Sequence, residues 1–191
     1  KIYDERVIFK KKMNQAKKEF EKTGNKKLQD DISAFNNIQM ARKIQLNSAY
    51  GAIGNQYFRY FNLANAEAIT LSGQVSIRWI ENRMNDYLNN LLNTEKEDYV
   101  IASDTDSIYL NLGPLVDKFF GSKCGDKDAV VGILDKICQE KIEPYIDKSY
   151  SELASYVSAY DQKMKMKRET IANKGIWTAK KRYILNAYDI E

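Results

Sequence analysis

The sequence predicts an α+β fold in which long helices accompany a small antiparallel β-sheet. Apolar residues recur at helical spacing through the first half of the chain, whereas short β-prone runs appear after residue 98. The 191 residues include only nine glycines and two prolines, so few positions interrupt helices. Strands that are joined by hairpin-like turns and separated by helices are typical of an antiparallel sheet flanked by helices.

A helical hairpin and a third long helix are predicted for the first half. The first helix covers residues 2–22 and ends at Thr23-Gly24-Asn25, and the second runs from Asp30 or Asp31 to Gly51. The predicted apolar stripe of the second helix is Phe35, Ile38, Ala41, Ile44 and Ala49. An aromatic cluster at residues 56–61 precedes a third helix at 64–92, whose predicted buried stripe is Ile69, Ile77, Ile80, Met84, Leu88 and Leu91.

Short strands are predicted in the second half. Residues 99–102 and 108–110 are β-prone and flank a polar turn, which predicts a strand, a tight turn and a second strand. A short helix is predicted at 116–120, and helical segments at 129–158 bend at Pro144. Strict alternation from residue 163 predicts a strand that continues to residue 172, followed by a turn at 173–175 and a final strand at 177–188.

The composition excludes several enzyme classes. The chain has no histidine, which removes Ser-His-Asp and Cys-His nucleophiles, histidine-ligated zinc and histidine general bases. Any chemistry therefore uses carboxylates, amines, hydroxyls or bound metal. Cys124 and Cys138 are too far apart in sequence for a zinc cage, and we interpret both as buried bystanders in a reducing compartment. No apolar run approaches the length of a membrane span, so no membrane partner is expected.

The net charge of +4 conceals a pattern along the chain. Residues 1–30 contain ten Lys or Arg and five Asp or Glu, and residues 161–191 contain eight and four, so two basic ends flank an acidic centre. Clustered cations attract nucleic acid, whereas local carboxylates attract metal ions. For the lysines at 10–12, 17 and 18 taken alone, a solvated helix face is the favoured interpretation.

Asp104 and Asp106 form the first candidate site. They lie two residues apart at the predicted turn, so both carboxylates can project to one side and bind divalent cations. Two such cations about 4 Å apart can hold the attacking and leaving oxygens of a phosphoryl transfer. The same triplet also occurs in ordinary turns, because Asp favours turn positions by bonding its own backbone.

Lys43, Asn47 and Tyr50 form the second candidate site. Their spacing places them on one face of the second helix, with Gly51 one turn beyond Asn47. A cation for phosphate, an amide, an aromatic ring and a glycine that permits close approach suit a nucleotide and its base pair. An amphipathic surface helix is the alternative interpretation.

Lys180, Lys181, Arg182 and Tyr183 form the third candidate site. In one continuous strand, Lys180 and Arg182 would share one face, and Lys181 and Tyr183 the other face with Trp177. Cations interleaved with an aromatic residue suit contacts to a nucleic-acid backbone. A basic edge strand that protects against aggregation is the alternative.

In this order, the motifs Lys43-x-x-x-Asn47-Ser48-x-Tyr50-Gly51, Asp104-Thr105-Asp106-Ser107 and Lys180-Lys181-Arg182-Tyr183 resemble those of family B DNA polymerases, of the type found in T-even bacteriophages. The resemblance covers essentially the whole chain. It implies a fingers hairpin at 1–54, a partial palm at 55–179 and a palm-to-thumb junction at 180–191. The chain departs from the family at Ser103, where glycine is usual, and at 173–176, where relatives carry a longer Gly/Pro-rich loop.

The resemblance implies a role for each motif. Lys43 would hold the triphosphate of an incoming nucleotide, while Asn47, Tyr50 and Gly51 would line the nascent base pair. Asp106 and Asp104 would be the catalytic metal ligands, and Glu169 matches an acidic palm position near the metals. The primer-template backbone would be bound by Lys180, Lys181, Arg182 and Tyr183.

The implied reaction adds deoxynucleotides from deoxynucleoside triphosphates to a primer 3′ end by two-metal phosphoryl transfer. The implied cofactor is Mg²⁺, as two ions in the complete enzyme, for which Mn²⁺ can substitute. The implied partners are primer-template DNA, the remainder of the polymerase chain and replication accessory proteins bound through other segments, in the cytoplasm of an infected bacterial host. The family's other metal-binding Asp lies N-terminal to the fingers, so this chain is expected to be a fragment that is inactive alone.

Two other functions are compatible with single motifs. A nucleotide-sugar glycosyltransferase also uses an Asp-x-Asp between strands to bind a metal-diphosphate, although it does not account for the helix motif or the terminal basic motif. A non-catalytic nucleic-acid-binding module would account for the basic motifs alone.

Overall fold

The computed structural model describes residues 1–121 and 127–190, and it divides into two compact units, residues 1–70 and 71–191. The predicted α+β class is confirmed. Cys124 lies outside the described residues. None of the described helices is both long enough and apolar enough to cross a membrane.

The elements in chain order are α1 (Ile2–Thr23), α2 (Lys27–Ile53), α3 (Leu63–Leu92), β1 (Val100–Asp104), β2 (Ser107–Leu110), α4 (Gly113–Phe120), α5 (Lys127–Ile137), a π-helical turn (Cys138–Ile142), α6 (Glu143–Tyr156), β3 (Thr170–Ala179) and β4 (Arg182–Ile190).

The predicted helical hairpin forms the first unit. α1 ends because Gly24 adopts a left-handed conformation, with φ 65°, and its N–H donates to the Phe20 carbonyl at 2.8 Å. The Asn25 side chain then accepts a hydrogen bond from the Lys27 N–H at 3.1 Å. Because this bond satisfies a free N–H at the helix start, α2 begins at Lys27 rather than at the predicted Asp30 or Asp31.

The packing face of α2 differs from the predicted stripe. Phe35 packs against Phe9 of α1 with ring centroids 6.1 Å apart, but Ile38 and Ile44 are 36% and 59% exposed. Ala41 and Ala49 are also exposed. A polar seam takes their place, because Gln39 is buried and Arg42 pairs with Glu5 of α1 at 2.8 Å. Leu28, Ile32, Phe35 and Leu46 are half-buried on the same face, and the prediction missed it because Gln39 and Arg42 interrupt its apolar pattern at the centre.

The second unit has a hydrophobic core between α3, the π-helical turn and α6. The centre of the predicted α3 stripe is confirmed, since Ile80, Met84 and Leu88 are fully buried. Its ends are wrong, because Ile69 and Leu91 are 51% and 37% exposed. The remaining members of the core are Tyr99, Cys138, Ile142, Ile146, Tyr150 and Leu153.

The helical region after residue 127 changes to π-helical geometry just before Pro144, where the sequence predicts a bend. Pro144 lies in the first turn of α6 and has no N–H to donate back to the preceding turn. The five residues before α6 adopt wider π-helical geometry, which accommodates the missing bond and the proline ring. Cys138 lies in this turn and is buried with a free thiol, as predicted.

The strands form two separate antiparallel hairpins rather than one sheet. β1 pairs with β2 in the register Asp104↔Ser107, and β3 pairs with β4 in the register Ala179↔Arg182. Three sequence predictions are wrong here: residues 163–169 are not a strand, residues 173–175 lie inside β3, and the last turn is at 180–181.

Local hydrogen bonds and bulges account for these differences. The Gln162 side chain bonds both the N–H and the carbonyl of Met164, which occupies backbone groups that a β-ladder would need. Register shifts on both sides of Ala172 absorb the Asn173-Lys174-Gly175 sequence into the continuous β3 strand.

Candidate active site

Two of the three sequence motifs meet in the second unit. The tips of the two β-hairpins line a pocket of about 340 Å³. The β1–β2 hairpin contributes Asp104 but not Asp106 to the lining, and the β3–β4 hairpin contributes Lys180 and Lys181. Acidic and basic motifs that are about 75 residues apart in sequence therefore face one space. The full lining is Ala102, Ser103, Asp104, Tyr109, Trp177, Ala179, Lys180, Lys181 and Tyr183.

The amide of Asn85 on α3 fixes the start of the β1–β2 hairpin. Its Oδ1 accepts hydrogen bonds from the N–H groups of Tyr99 at 2.8 Å and Val100 at 3.1 Å, and its Nδ2 donates to Asp98 at 2.8 Å. Tyr99 is buried in the core, and its hydroxyl contacts the Thr94 hydroxyl at 2.8 Å. The turn that carries the aspartates is consequently built on a rigid helix.

The turn between β1 and β2 is unusually tight. The Asp106 N–H donates to the Asp104 carbonyl at 2.6 Å across Thr105, whose φ is 56°. This is a γ-turn with a left-handed, β-branched central residue, a strained geometry that occurs chiefly at functional sites. The Thr105 hydroxyl donates to Asp104 Oδ1 at 2.9 Å and orients that carboxylate. Asp104 is half-buried, whereas Asp106 is exposed.

Each aspartate lies near a phenol that stays protonated. Burial raises the pKa of Tyr150, and the nearby Asp106 carboxylate raises it further. Burial likewise raises the pKa of Tyr109 to about 12, with further increases from its hydrogen bond to Tyr183 and from the Asp104 charge. Both phenols are neutral at physiological pH, so they add no negative charge beside the carboxylates.

The third motif forms the tip of the β3–β4 hairpin. The sequence-based prediction of one continuous strand through this motif is therefore wrong. Lys180 and Lys181 make the turn, and Lys181 is left-handed with φ 62°. Trp177 and Tyr183 are cross-strand partners, with stacked rings whose centroids are 6.4 Å apart. The two lysines are therefore held at a turn, and the two aromatic residues support them from the strands below.

Tyr109 on β2 is a site residue that the sequence analysis missed. Its ring contacts the rings of Trp177 and Tyr183 edge to face, each with centroids 5.3 Å apart. The only sequence indication is alternation, because Tyr109 falls on the same side of β2 as Ser107. Alternation does not identify a partner that lies nearly 70 residues away.

Arg168 is a second missed residue, and it anchors the base of the β3–β4 hairpin. Its guanidinium bonds Asp135 of α5 at 2.6 and 3.0 Å and Asp189 of β4 at 2.5 Å, and its N–H donates to Glu143 of α6 at 3.1 Å. The side chain is 10% exposed. Burial would lower the pKa of Arg168, but the bonds to Asp135 and Asp189 outweigh it and raise the pKa. Arg168 therefore joins the hairpin to both helices.

The donor set for a metal consists of two carboxylates. Asp104 and Asp106 offer the oxygen ligands that hard divalent cations prefer. Glu169 is exposed at the start of β3, and nowhere in residues 1–121 and 127–190 do three acidic or cysteine side chains gather as a possible cage. By their chemistry these two carboxylates fit a divalent cation, but they leave it short of ligands.

The remaining motif lies in the first unit, on α2. Lys43, Asn47, Tyr50 and Gly51 are all exposed, and within the described part of the chain Lys43 forms no ion pair. A Cβ added at Gly51 would meet no atom of the chain within 4 Å, so the surface there is open. The face is accessible to a ligand along its whole length.

Comparisons with known proteins agree with the motifs. Residues 1–190 match the family described as DNA polymerase family B. The chain is 45% identical over 161 residues to a DNA-directed DNA polymerase of Escherichia phage RB69, which covers 80% of the chain and 18% of that protein. It is 42% identical over 164 residues to a DNA-directed DNA polymerase of Enterobacteria phage T4, covering 82% of the chain and 18% of the relative. The chain thus spans less than a fifth of the length of these relatives.

Proposed function

The chain belongs to DNA polymerase family B, and from this premise we propose that it supplies the fingers helix and part of the palm of a DNA-directed DNA polymerase. The complete enzyme would add deoxynucleotides to a primer 3′ end. The names of both phage relatives support this activity, and they also support an infected bacterial cell as its setting. Membership in this family gives no support to a nucleotide-sugar glycosyltransferase.

The observation that carries the proposal is the shared pocket of Asp104 with Lys180 and Lys181. Phosphoryl transfer to a primer needs cations that hold the DNA backbone close to carboxylates that hold the metal. In this proposal, Lys180, Lys181, Arg182 and Tyr183 bind the primer-template backbone. The pocket is then where the primer terminus meets Asp104, next to the turn that carries Asp106.

Asp104 and Asp106 are the proposed ligands of Mg²⁺, with Mn²⁺ as a possible substitute in vitro. When bound, the metal pair supplies Lewis-acid stabilisation of the attacking and leaving oxygens of the transfer. The Thr105 hydroxyl holds Asp104 in one orientation, which lowers the cost of ordering that carboxylate. The phenols of Tyr109 and Tyr150 are neutral and so add no negative charge beside the carboxylates.

The incoming deoxynucleoside triphosphate would bind the exposed motif on α2. Lys43 supplies a positive charge for the phosphates, while Asn47, Tyr50 and Gly51 offer an amide, a ring and open space beside the base pair. An unpaired lysine is suited to this role because no carboxylate of the described chain competes for its charge.

The remainder of the polymerase would complete the site. Two carboxylates alone leave a divalent cation short of ligands, so beside bound waters we expect further donors from other polymerase segments, from substrate phosphates or, as the resemblance suggests, from Glu169. We therefore propose that the isolated chain does not synthesise DNA and that its partners include those segments and the replication accessory proteins that they bind.

Primer extension by the complete polymerase tests this function. Replacing the ligand in Asp106→Asn should lower extension by at least about a hundredfold, since the metals provide most of the charge stabilisation, while DNA affinity stays within a few-fold. Asp117→Asn, at an exposed position of α4, is the matched control and should extend normally. Near-normal extension by Asp106→Asn would overturn the metal assignment, and DNA binding without extension in every variant would indicate a non-catalytic module.

A further inference from the structure

The tip of the α1–α2 hairpin carries a dense positive charge that the proposed polymerase site does not use. Residues 10–27 contain eight lysines and only two glutamates. All eight lysine side chains are exposed. Within the part of the chain that the structure describes, none of them forms a salt bridge with a carboxylate. The lysines are Lys10, Lys11, Lys12, Lys17, Lys18, Lys22, Lys26 and Lys27.

Three of these lysines form a straight stripe. At 100° per residue, Lys11, Lys18 and Lys22 fall within about 40° of one another around α1. The buried residues Met13 and Ala16, which pack against α2, lie on the opposite side of the helix. At 1.5 Å per residue, the stripe from Lys11 to Lys22 is about 16 Å long. The lysines therefore point away from the hairpin core along one line.

The chemistry of this face favours a nucleic-acid backbone over a membrane. The residues between the lysines are the polar Asn14 and Gln15, and the acidic Glu19 and Glu21 lie at the edges of the face, so no apolar side chain interrupts it. An interfacial membrane helix inserts an apolar face, but the apolar face of α1 is already packed against α2. Glu19 and Glu21 are exposed three positions from Lys22 and Lys18, but within the described chain neither forms a salt bridge with a stripe lysine, so the three aligned cations stay available to a polyanion.

The stripe also favours duplex over single-stranded DNA. Sites for single strands generally stack bases on aromatic side chains, and the outward face from Lys11 to Lys22 has none. A duplex carries one charge per 1.7 Å of axis, so a 16 Å stripe lies beside about nine phosphate charges, twice the number on one strand. Charge complementarity is therefore greatest with a duplex.

We propose that Lys11, Lys18 and Lys22 form a second DNA contact, which binds the phosphate backbone of duplex DNA independently of the metal and primer site. The inference rests on the proposed function only in taking DNA as the partner. It adds a sequence-independent contact on the fingers hairpin. Its energetic basis is release of counterions from the duplex, so its signature is the salt dependence of binding.

The test measures the affinity of the 191-residue chain for a labelled duplex oligonucleotide by fluorescence anisotropy, between about 50 and 200 mM salt. Changing Lys11, Lys18 and Lys22 together to Gln should reduce the slope of log affinity against log salt by about 2 to 3, since each phosphate contact contributes about 0.9. Lys and Gln have similar helix propensities, so α1 should stay folded.

The matched control changes Lys163, Lys165 and Lys167 to Gln. The change removes the same formal charge from three exposed lysines that lie in a segment without regular structure, where Lys163 pairs with Asp161. The slope should change by less than half as much in this control. An unchanged slope in the stripe variant, or an equal fall in both variants, overturns the proposal.

Further measurements distinguish duplex DNA from single-stranded DNA and from anionic membranes as the binding partner. A slope change with single-stranded but not duplex DNA, or stripe-dependent binding to vesicles rich in anionic lipid, also overturns the proposal. In the unaltered chain, duplex DNA should protect the three stripe amines from acylation more than the three control amines, and equal protection contradicts it. If the stripe variant extends primers normally and its salt slope is unchanged, this inference is wrong but the proposed polymerase function stands, because primer extension reports on the Asp106 site.

Discussion

The ring of Tyr109 meets the ring of Trp177 edge to face, with the two centroids 5.3 Å apart. Tyr109 belongs to β2, just after the aspartate turn, and Trp177 belongs to β3, just before the lysine turn. The two hairpins share no ladder hydrogen bonds, since each is a separate two-stranded sheet. The distance between the carboxylates and the lysines is therefore set by side-chain packing, which makes the aromatic cluster of Tyr109, Trp177 and Tyr183 central to the pocket.

Removing the Tyr109 ring should loosen this contact. Tyr109→Leu is expected to lower the free energy of unfolding by about 1 to 2 kcal/mol, because two aromatic contacts are lost. Tyr109→Phe should cost about 1 kcal/mol or less, since it loses only the hydroxyl's hydrogen bonds to Tyr183 and Ser107. Urea unfolding measures both variants.

The emission of Trp177 reports on the pocket itself. With Trp79 changed to Phe, Trp177 is the only tryptophan, and its emission should shift to longer wavelength in Tyr109→Leu but not in Tyr109→Phe. Equal emission and equal stability of the Leu variant and the parent chain would show that the ring does not hold the hairpins together.

A side chain at Gly175 should displace the Trp177 ring. A Cβ there would lie 2.5 Å from the indole and 2.8 Å from Leu185, closer than carbon atoms approach. Gly175→Ala should therefore cost about 1 to 3 kcal/mol through overpacking and shift the Trp177 emission. Gly132→Ala in α5 is the matched control, since nothing lies within 4 Å, and it should stabilise the chain by about 0.5 to 1 kcal/mol. In thermal unfolding, Gly175→Ala should lower the stability and Gly132→Ala should raise it. Changes of the same sign in both variants would contradict this expectation.

Loss of the Arg168 guanidinium should detach the base of the second hairpin. Arg168→Met is expected to cost about 2 to 3 kcal/mol, because Asp135 and Asp189 lose a partner that is largely buried. The figure stays below the usual range for fully buried pairs because both aspartates are partly exposed. Lys163→Met breaks a pair with Asp161 that is mostly exposed and should cost less than about 1 kcal/mol. Denaturant unfolding compares them, and a similar cost for both would refute a structural role for the clamp.

Stability should fall in mildly alkaline solution through Cys138. Burial raises the pKa of this thiol to about 11, although the Arg168 charge acts in the opposite direction. Above the ordinary thiol pKa the unfolded chain releases the proton while the folded chain keeps it, so each rise in pH favours unfolding until about pH 11. The expected loss from this group at pH 10 is about 1 kcal/mol.

The variant Cys138→Ala isolates this contribution. Its stability at neutral pH should be lower because a small cavity forms, but its decline between about pH 8 and 10 should be shallower than that of the parent chain. The tyrosines titrate in both proteins and cancel from the comparison. Parallel pH profiles would show that the thiol is not protected from ionisation by the fold.

Local sequence determines much of the secondary structure. Gly24 ends α1 because it is left-handed, and the apolar stripe at Ile80, Met84 and Leu88 identifies the core face of α3. The strand, turn and strand around Asp104 and Asp106 also follow from local propensity. Each of these features depends on residues within one or two turns of chain, which is the range over which periodicity carries information.

The last hairpin shows where this range ends. Asn173-Lys174-Gly175 has the sequence of a turn but lies inside β3, because bulges accommodate it and the pairing with β4 outweighs its local preference. The true turn uses Lys180 and Lys181, although neither is a residue that left-handed turns favour. The packing face of α2 has Gln39 and Arg42 at its centre, and these polar residues interrupt the hydrophobic pattern that would have indicated it.

By itself, the sequence determined the helices, the aspartate turn, the absence of histidine chemistry and the three motifs whose order identifies the family. Tertiary structure alone decided that the aspartate and lysine turns share a pocket, that Tyr109 joins their hairpins and that Arg168 anchors the second one. The physical reason is that motifs and helical periods are local, whereas ring contacts and a buried guanidinium join residues that only folding brings together.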